Sequence, residues 1–457
     1  MGAQLTWRRS EGVLAKSMGG MGMELVAGRW SNWSGGVRCK PRQVIAPREE
    51  VELAAAIRTS RGCVRAPGSG HSFTPISASD DTLLDLSVFG GLAGVDPQAQ
   101  SATFRAATPL WAVGPALKAQ GYALANMGDI DRQTVAGVVA TGTHGTGRSL
   151  GSLSAQVTGF RLISADGEVL NCSAEENPEI FDLGRVSVGT FGVMSEVTLK
   201  VLPAYKLVEH NFALPIHELF ERLDSLIAEN RHFEFFWFPY ANSAVCKSLN
   251  LSTADAPAPR TAEQMYARGE IRGSFDMRTF TAINEVLPFA PFLLESAHRL
   301  CSRLMPGPDK VRWSYEIFPS PRTVRFNEME YAVALEDGPA CLREIVDRIR
   351  ARRINTGFPI EYRTVKGDDI ALSPFYGRDS ATIAVHQYRK VDTERLFSAC
   401  EEIFRQFGGR PHWGKRHSRT AIELAQIYPQ YERFIRLREK LDPRGRFLNA
   451  YLRTLFA

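Results

Sequence analysis

The sequence predicts an α+β protein of two principal domains, and three observations carry that prediction. Strands and helices alternate up to Pro203, two glycine-rich loops interrupt the alternation, and beyond Pro203 aromatic-rich strands and helices take over. A chain of 457 residues accommodates about two to four domains at roughly 150 residues each. The expected division is an extension at 1–27, a first domain at 28–203, a second at 204–402, and a helical segment at 403–457 that completes the ligand site.

Pro47, Glu49 and Glu50 precede the apolar spacing Val51, Ala54, Ala55 and Ile57, which reads as a helix with acids at its positive end, stopped by Gly62. Residues 63–66 form a short strand that runs straight into Pro67-Gly68-Ser69-Gly70-His71-Ser72. Strands follow at 82–86 and 102–106, then a helix at 110–119 closed by Gly121. The segment 126–147, NMGDIDRQTVAGVVATGTHGTG, is too apolar at Val135, Val138 and Val139 for a linker. It is expected to pack while its Gly and Thr residues bring backbone close to a ligand. Asp166-Gly167 turns a hairpin between 157–164 and 168–173, and 192–202 is the last strand of the domain. Beyond it, an aromatic strand at 233–238, a loop at 257–264, a helix at 340–353 and strands at 360–363 and 381–388 read as an antiparallel sheet backed by helices.

Hydrophobic residues make up 44% of the chain and charged residues 23%, the balance of an ordinary globular protein. No stretch of about 18 apolar residues occurs, so no transmembrane segment is expected. The 55 Lys and Arg outnumber the 50 Asp and Glu, and the excess is local: residues 403–457 hold 12 basic and 4 acidic side chains. The overall excess of five is mild for a chain of this length and argues against a dedicated nucleic-acid binder, and the local cluster is better explained in part by an anionic ligand. Arg433, Arg436 and Arg438 read as a solvated helix face, and Lys415, Arg416 and His417 as part of the ligand site. Seven scattered cysteines without a CxxC pair argue against a disulfide scaffold and structural zinc; no metal is expected. They suit a reducing, cytoplasmic setting, with peripheral membrane association left open.

Three familiar motifs occur in broken form. Gly409 to Lys415 has P-loop spacing, but Arg416 stands where Ser or Thr must bind magnesium, and Pro411 and Trp413 stiffen the loop. Gly147-Arg148-Ser149-Leu150-Gly151 has the spacing of a hydrolase nucleophile elbow without the preceding strand. Gly68 and Gly70 lack the third glycine and following helix of a dinucleotide fingerprint. What stands is a pair of loops, each holding a histidine: residues 68–73 with His71, and residues 141–147 with His144. Their backbone N–H groups can cradle the pyrophosphate of an extended dinucleotide. The plainer reading makes both loops turns and both histidines hydrogen-bonded core residues.

The segments APGSGHSF, NMGDIDRQTVAGVVATGTHGTG, HFEFFWFPY, IEYR, AVHQY, RPHWGKRHS and DPRGRFLNAYL, in this order and spacing, resemble the aldonolactone oxidoreductases of the vanillyl-alcohol-oxidase flavoprotein superfamily. Within it the chain is most similar to bacterial L-gulono-1,4-lactone dehydrogenases and next to alditol oxidases, over nearly all of 28–457. The resemblance implies a PCMH-type FAD-binding domain with a substrate-binding cap over the flavin ring. It implies FAD contacts from Pro67, Gly68, Ser69, Gly70, His71 and Ser72 in the first loop. The second loop would add Gly128, Asp129, Thr134, Gly137, Thr141, His144 and Gly145, and the strand after it Val197. His71 matches the histidine that many members bond covalently to the flavin 8α-methyl group. Gly128 matches a position where a small residue admits oxygen, yet similar dehydrogenases carry the same Gly-Asp pair, so the electron acceptor, oxygen or another, stays open. Asp129, where alditol oxidases usually have Ser, speaks against a simple polyol.

Glu361 and Arg363 lie two apart on the expected strand, hence on one face, and offer an acceptor and a planar donor fork to a polyol or sugar lactone. His386 shares a face with Tyr388 by the same rule, and Lys415 sits in an aromatic-flanked loop. On residue chemistry alone, Glu361 and Arg363 read as a surface ion pair. The resemblance instead implies that Glu361, Arg363 and Lys415 line the substrate side of the flavin, with His386 beside them. Lys415 then falls to the flavin N1–C2=O edge or to the substrate hydroxyl, and Glu361 and Arg363 to substrate orientation; the base is left open. The implied activity is FAD-dependent oxidation of L-gulono- or L-galactono-1,4-lactone by hydride transfer to flavin N5, with alditol oxidation as the alternative.

Overall fold

The structure is a computed structural model that describes residues 25–270, 275–320 and 324–457. Most of the extension expected at 1–27 lies outside those residues. The acid-led helix spans Glu50–Thr59, with Leu53, Ala54, Ala56 and Ile57 buried. It connects Gln43–Ile45 to Val64–Arg65, and both strands pair in parallel with Thr82–Leu84 between them. Next comes a five-stranded antiparallel sheet in the order Val169–Ser173, Val157–Ile163, Val193–Lys200, Ser101–Arg105, Leu92–Asp96. Its hairpin turns at Gly167, where φ is +79° and a Cβ would stand 2.9 Å from Ala54 O, so the Asp-Gly signal has a steric cause.

Two local expectations change. The second glycine segment contains a short helix, Val135–Ala140, because Val135, Val138 and Val139 recur at helical spacing and are buried. The loop expected at 257–264 ends early, since a helix begins at Ala262 and buries Met265 beside Trp111 and Tyr315.

The second domain is built on an eight-stranded antiparallel sheet. Its order is Lys310–Trp313, Lys206–Pro215, Ser243–Ser252, His232–Trp237, Ile360–Val365, Ser380–Tyr388, Phe326–Ala334, Arg410–Pro411. The helices Ile216–Glu229, Gly338–Ala351 and Glu394–Gln406 cover one face, where Leu223, Leu342, Ile345 and Phe404 meet Phe235, Met329, Tyr331, Tyr362 and Ile383. Strand alternation sends the intervening residues to the opposite face. Glu234, Glu328, Glu330, Glu361, Arg363, Ala384 and His386 therefore point toward the first domain. The second glycine loop docks there, with Gly147 N–H donating to Thr364 O at 2.8 Å and Thr364 N–H to Thr146 Oγ1 at 3.2 Å.

The C-terminal segment divides between the two domains. Ile403 and Phe404 belong to the cap core. The helices Ala421–Ile427, Tyr431–Leu441 and Ala450–Phe456 instead bury Leu424, Phe434, Leu452 and Phe456 in the core of the first domain. The solvated arginine face is corrected at Arg438, which is buried and donates to Asp442 O at 3.3 Å, because its side of the helix turns inward beside Phe434 and Leu437. No helix among the described residues is long and apolar enough to cross a membrane, and all seven cysteines are free.

Candidate active site

A cleft runs between the parallel strands and the antiparallel sheet of the first domain, with about 1460 Å³ of empty space counted to its mouth. Pro67, Gly68, Ser69, Gly70, His71 and Ser72 line one wall, and Thr134, Gly137 and Thr141 another. The two loops come so close that a Cβ on Gly68 would stand 2.5 Å from Thr134 Oγ1. Among the described residues, the amides of residues 68–72 donate no hydrogen bond, whereas Phe73 N–H donates to Gly414 O at 2.7 Å. A row of free N–H groups along a cleft of this length fits the pyrophosphate of FAD. His71 stacks on Trp33 at 5.6 Å, and burial, with Lys415 and Arg132 nearby, pushes its ring down to about 4. It is therefore a neutral imidazole inside the cleft.

The cleft meets a smaller polar pocket at Gln133, which lines both. Here Gly128, Asp129 and His144 from the second loop face Glu361, Arg363 and His386 from the cap sheet and Lys415 from the loop after Arg410–Pro411. All four residues expected to be catalytic thus come together, although they derive from two strands and a loop. Two carboxylates absent from the sequence reading organise them. Glu328 pairs with Lys415 Nζ and lies 3.6 Å from His386 Nε2. Glu330 accepts from Arg363 Nη2 at 2.8 Å and lies 2.5 Å from His144 Nε2. Burial would raise both carboxyls, but Lys415 and His386 at Glu328, and His144 and Arg363 at Glu330, hold them well below the usual carboxylate range. A sequence signal existed: in 326–331, FNEMEY, acids alternate with Met329 and Tyr331, one charged face against one core face.

His412 also lines the pocket, and His144, Glu330 and His412 bring potential ligand atoms within 4.8 Å of one another. A metal is not supported there. His412 Nδ1 accepts from Gly414 N–H at 3.0 Å, so its other nitrogen carries the proton, and Glu330 is already held by Arg363.

Three expected contacts are corrected. Val197 is fully buried, paired with Phe104 and Phe160 in the core, and the cleft is lined instead by Gly192, Val193 and Met194 of the same segment. Gly145 lines neither cavity; packing fixes it as glycine, since a Cβ would lie 2.4 Å from Asn126 Oδ1 and from Met127 O. His417 turns away from the pocket to meet Tyr451 Oη at 3.1 Å. Ser149 of the apparent nucleophile elbow is exposed in a turn.

Fold and cleft together define a flavoprotein oxidoreductase, and an FAD-binding domain profile matches residues 41–173. The chain belongs to the D-arabinono-1,4-lactone oxidase family, whose profile matches residues 197–455. It is 40% identical over 431 residues to an L-gulono-1,4-lactone dehydrogenase of Mycobacterium tuberculosis, covering 93% of this chain and 98% of the relative. It is 32% identical over 443 residues to L-gulonolactone oxidase of Mus musculus, covering 94% and 98%. An alditol oxidase of a Streptomyces species is 29% identical over 452 residues, covering 93% and 98%. In fold the chain is similar to cholesterol oxidase from B. sterolicum, with a TM-score of 0.78 at 18% identity over 94% of this chain and 97% of that one.

Proposed function

We propose that this chain oxidises an aldono-1,4-lactone, L-gulono- or L-galactono-1,4-lactone, at an alcohol carbon. The observation that carries this reading is a pair of buried atoms without hydrogen-bond partners in the polar pocket. Glu361 Oε1 and Arg363 Nε lie 3.6 Å apart. An unpaired acceptor beside an unpaired donor calls for a ligand group that can serve both, and a hydroxyl does. The family and the lactone-oxidising relatives named above support the same substrate class.

Oxidation of an alcohol carbon removes a hydroxyl proton and a C–H hydrogen with its electron pair, and bound FAD supplies the acceptor for that pair. Glu361 and Arg363 orient the sugar hydroxyls, and Glu330 fixes the guanidinium from behind. Lys415, held by Glu328, presents a cation where the substrate oxygen gathers charge as its proton leaves. His71, neutral and lining the cleft, is our candidate for the residue that joins the flavin covalently, a reading supported by its match to the family's linked histidine.

Two measurements test the proposal. Anaerobic addition of each lactone and of an alditol to the purified holoenzyme, followed by absorbance, should bleach the flavin with a lactone. Bleaching by the alditol alone would reject the lactone assignment, and parallel peroxide and dye readouts identify the acceptor. In-gel fluorescence of denatured protein should show flavin migrating with the chain; a dark band rejects the covalent link.

A further inference from the structure

Asn32 and Trp33 line neither cavity of the candidate site, yet they hold its first glycine loop at three points. They sit in a small hairpin between Arg29–Ser31 and Arg38–Cys39, anchored by Trp30 packed against Val37, Cys39 and Leu83. Trp33 N–H donates to Gly70 O at 2.8 Å, and Asn32 Nδ2 donates to Ser72 O at 2.9 Å. The Asn32 side chain is buried and its orientation is set, because its Oδ1 accepts Val37 N–H at 2.9 Å.

In a trans peptide a carbonyl and the following N–H point in opposite directions. Holding the Gly70 carbonyl from the hairpin side therefore turns the His71 N–H the other way, toward the cleft that His71 lines. The Phe73 N–H, opposed to the held Ser72 carbonyl, is taken by Gly414 O at 2.7 Å. The hairpin thus occupies loop carbonyls from behind and leaves the amides of residues 68–72 for a ligand.

The Trp33 ring makes the third contact. It stacks on the His71 imidazole with centroids 5.6 Å and planes 23° apart, and Phe73 and Phe326 stand edge-on to it at 6.3 and 5.2 Å. Phe326 lines the polar pocket and meets His386 edge-on at 5.0 Å, so one indole joins the flavin loop to the cap strand. Among the described residues no side chain or backbone group hydrogen-bonds the His71 ring, so this stack sets its plane.

We propose that Asn32 and Trp33 are positioning residues of the flavin site: Asn32 and the Trp33 backbone hold the 68–72 loop ready for FAD, and the Trp33 ring sets the plane of His71 for its bond to the flavin. The first part rests only on FAD in the cleft; the second deepens the covalent reading of His71 and rests on it. Forming that bond breaks one C–H of the 8α-methyl group and the imidazole N–H, releases both protons, and leaves the C–H electron pair on the flavin. Oxygen or the enzyme's other acceptor then removes that pair. Both residues act through His71 and its loop, by orientation alone.

The tests use the full chain produced without riboflavin and then given FAD. In-gel fluorescence of denatured samples over time reads the rate of attachment at saturating FAD. Trp33→Leu should attach flavin about two- to tenfold more slowly, the worth of one aromatic stack, and Trp33→Phe should recover most of the rate. An unchanged rate in Trp33→Leu, or Trp33→Phe as slow as Trp33→Leu, overturns the ring-setting role. On a His71→Ala background, where no bond can form, Asn32→Asp keeps an acceptor for Val37 N–H and loses the donor to Ser72 O. It should weaken FAD binding about tenfold, read by quenching of flavin fluorescence. Equal affinity overturns the loop-holding role. A wild-type chain that never fixes flavin rejects the covalent reading and the ring-setting role with it, while the Asn32→Asp titration still decides the loop.

Discussion

Arg363 reaches Glu330 at 2.8 Å across an intervening strand, and Ala384 of that strand stands in register with both Glu330 and Glu361. A small residue in the middle position is what lets the flanking charged side chains close over it. Ala384→Val places two methyl groups in that gap, an overpacking change of about 1–3 kcal/mol. Lactone kcat/KM should fall by about fivefold for each 1 kcal/mol of that strain that displaces Arg363, at one decade per 1.4 kcal/mol, with the flavin-to-protein ratio unchanged. Wild-type turnover in the variant would show that the Arg363–Glu330 approach does not matter to the reaction.

Lys415 is the cation on the substrate side that Glu328 holds. Lys415→Met should slow anaerobic flavin reduction by about 10²–10³-fold, the usual effect of removing one preorganised electrostatic donor, with little loss of FAD. Stopped-flow reduction rates at saturating lactone check this, and an unchanged rate would remove Lys415 from the chemistry.

Arg363 is 6% exposed and lies against both Glu330 and Glu361. Arg363→Met leaves two buried carboxylates without their guanidinium and should cost about 3–5 kcal/mol in urea unfolding. Arg363→Lys keeps the charge but loses the planar fork, so it should recover much of the stability while KM for the lactone stays raised. Equal stability of wild type and the Met variant would mean that the carboxylates had other partners.

His298 in the cap accepts Tyr240 N–H at 3.2 Å and donates to Thr356 O at 2.8 Å, and burial pushes its ring down to about 4. A depressed histidine contributes stability that is present above the unfolded value near 6.5 and is lost as pH falls toward 4. At pH 5 this one ring costs about 2 kcal/mol relative to neutral pH. His298→Gln should flatten the dependence of Tm on pH between 7 and 5; a curve parallel to wild type would contradict the assignment.

Most of the secondary structure was legible because its causes are local. Acids ahead of Val51 and Ala54, Gly167 in its turn, and the alternation around Glu361 and Arg363 act within a few residues. The same locality explains the errors. A six-residue helix at Val135–Ala140 lies inside a run whose Gly and Thr residues read as loop. Val197 and Met194 lie on one strand, and only that strand's pairing with Phe104 and Phe160 decides that Val197 points into the core while Met194 lines the cleft.

The sequence by itself determined the two-domain α+β architecture and the two glycine loops, while Glu361, Arg363, His386 and Lys415 were nominated as a set through resemblance to a known family and not through their own chemistry. Only the tertiary structure decided which charges meet. Glu330 and His144 are 186 residues apart, and their contact depends on a cap sheet whose order is not the chain order and on a loop docked against it. Alternation along a strand fixes which face a residue takes, but register across strands and the approach of a second domain fix its partner, and neither is a local property of the chain.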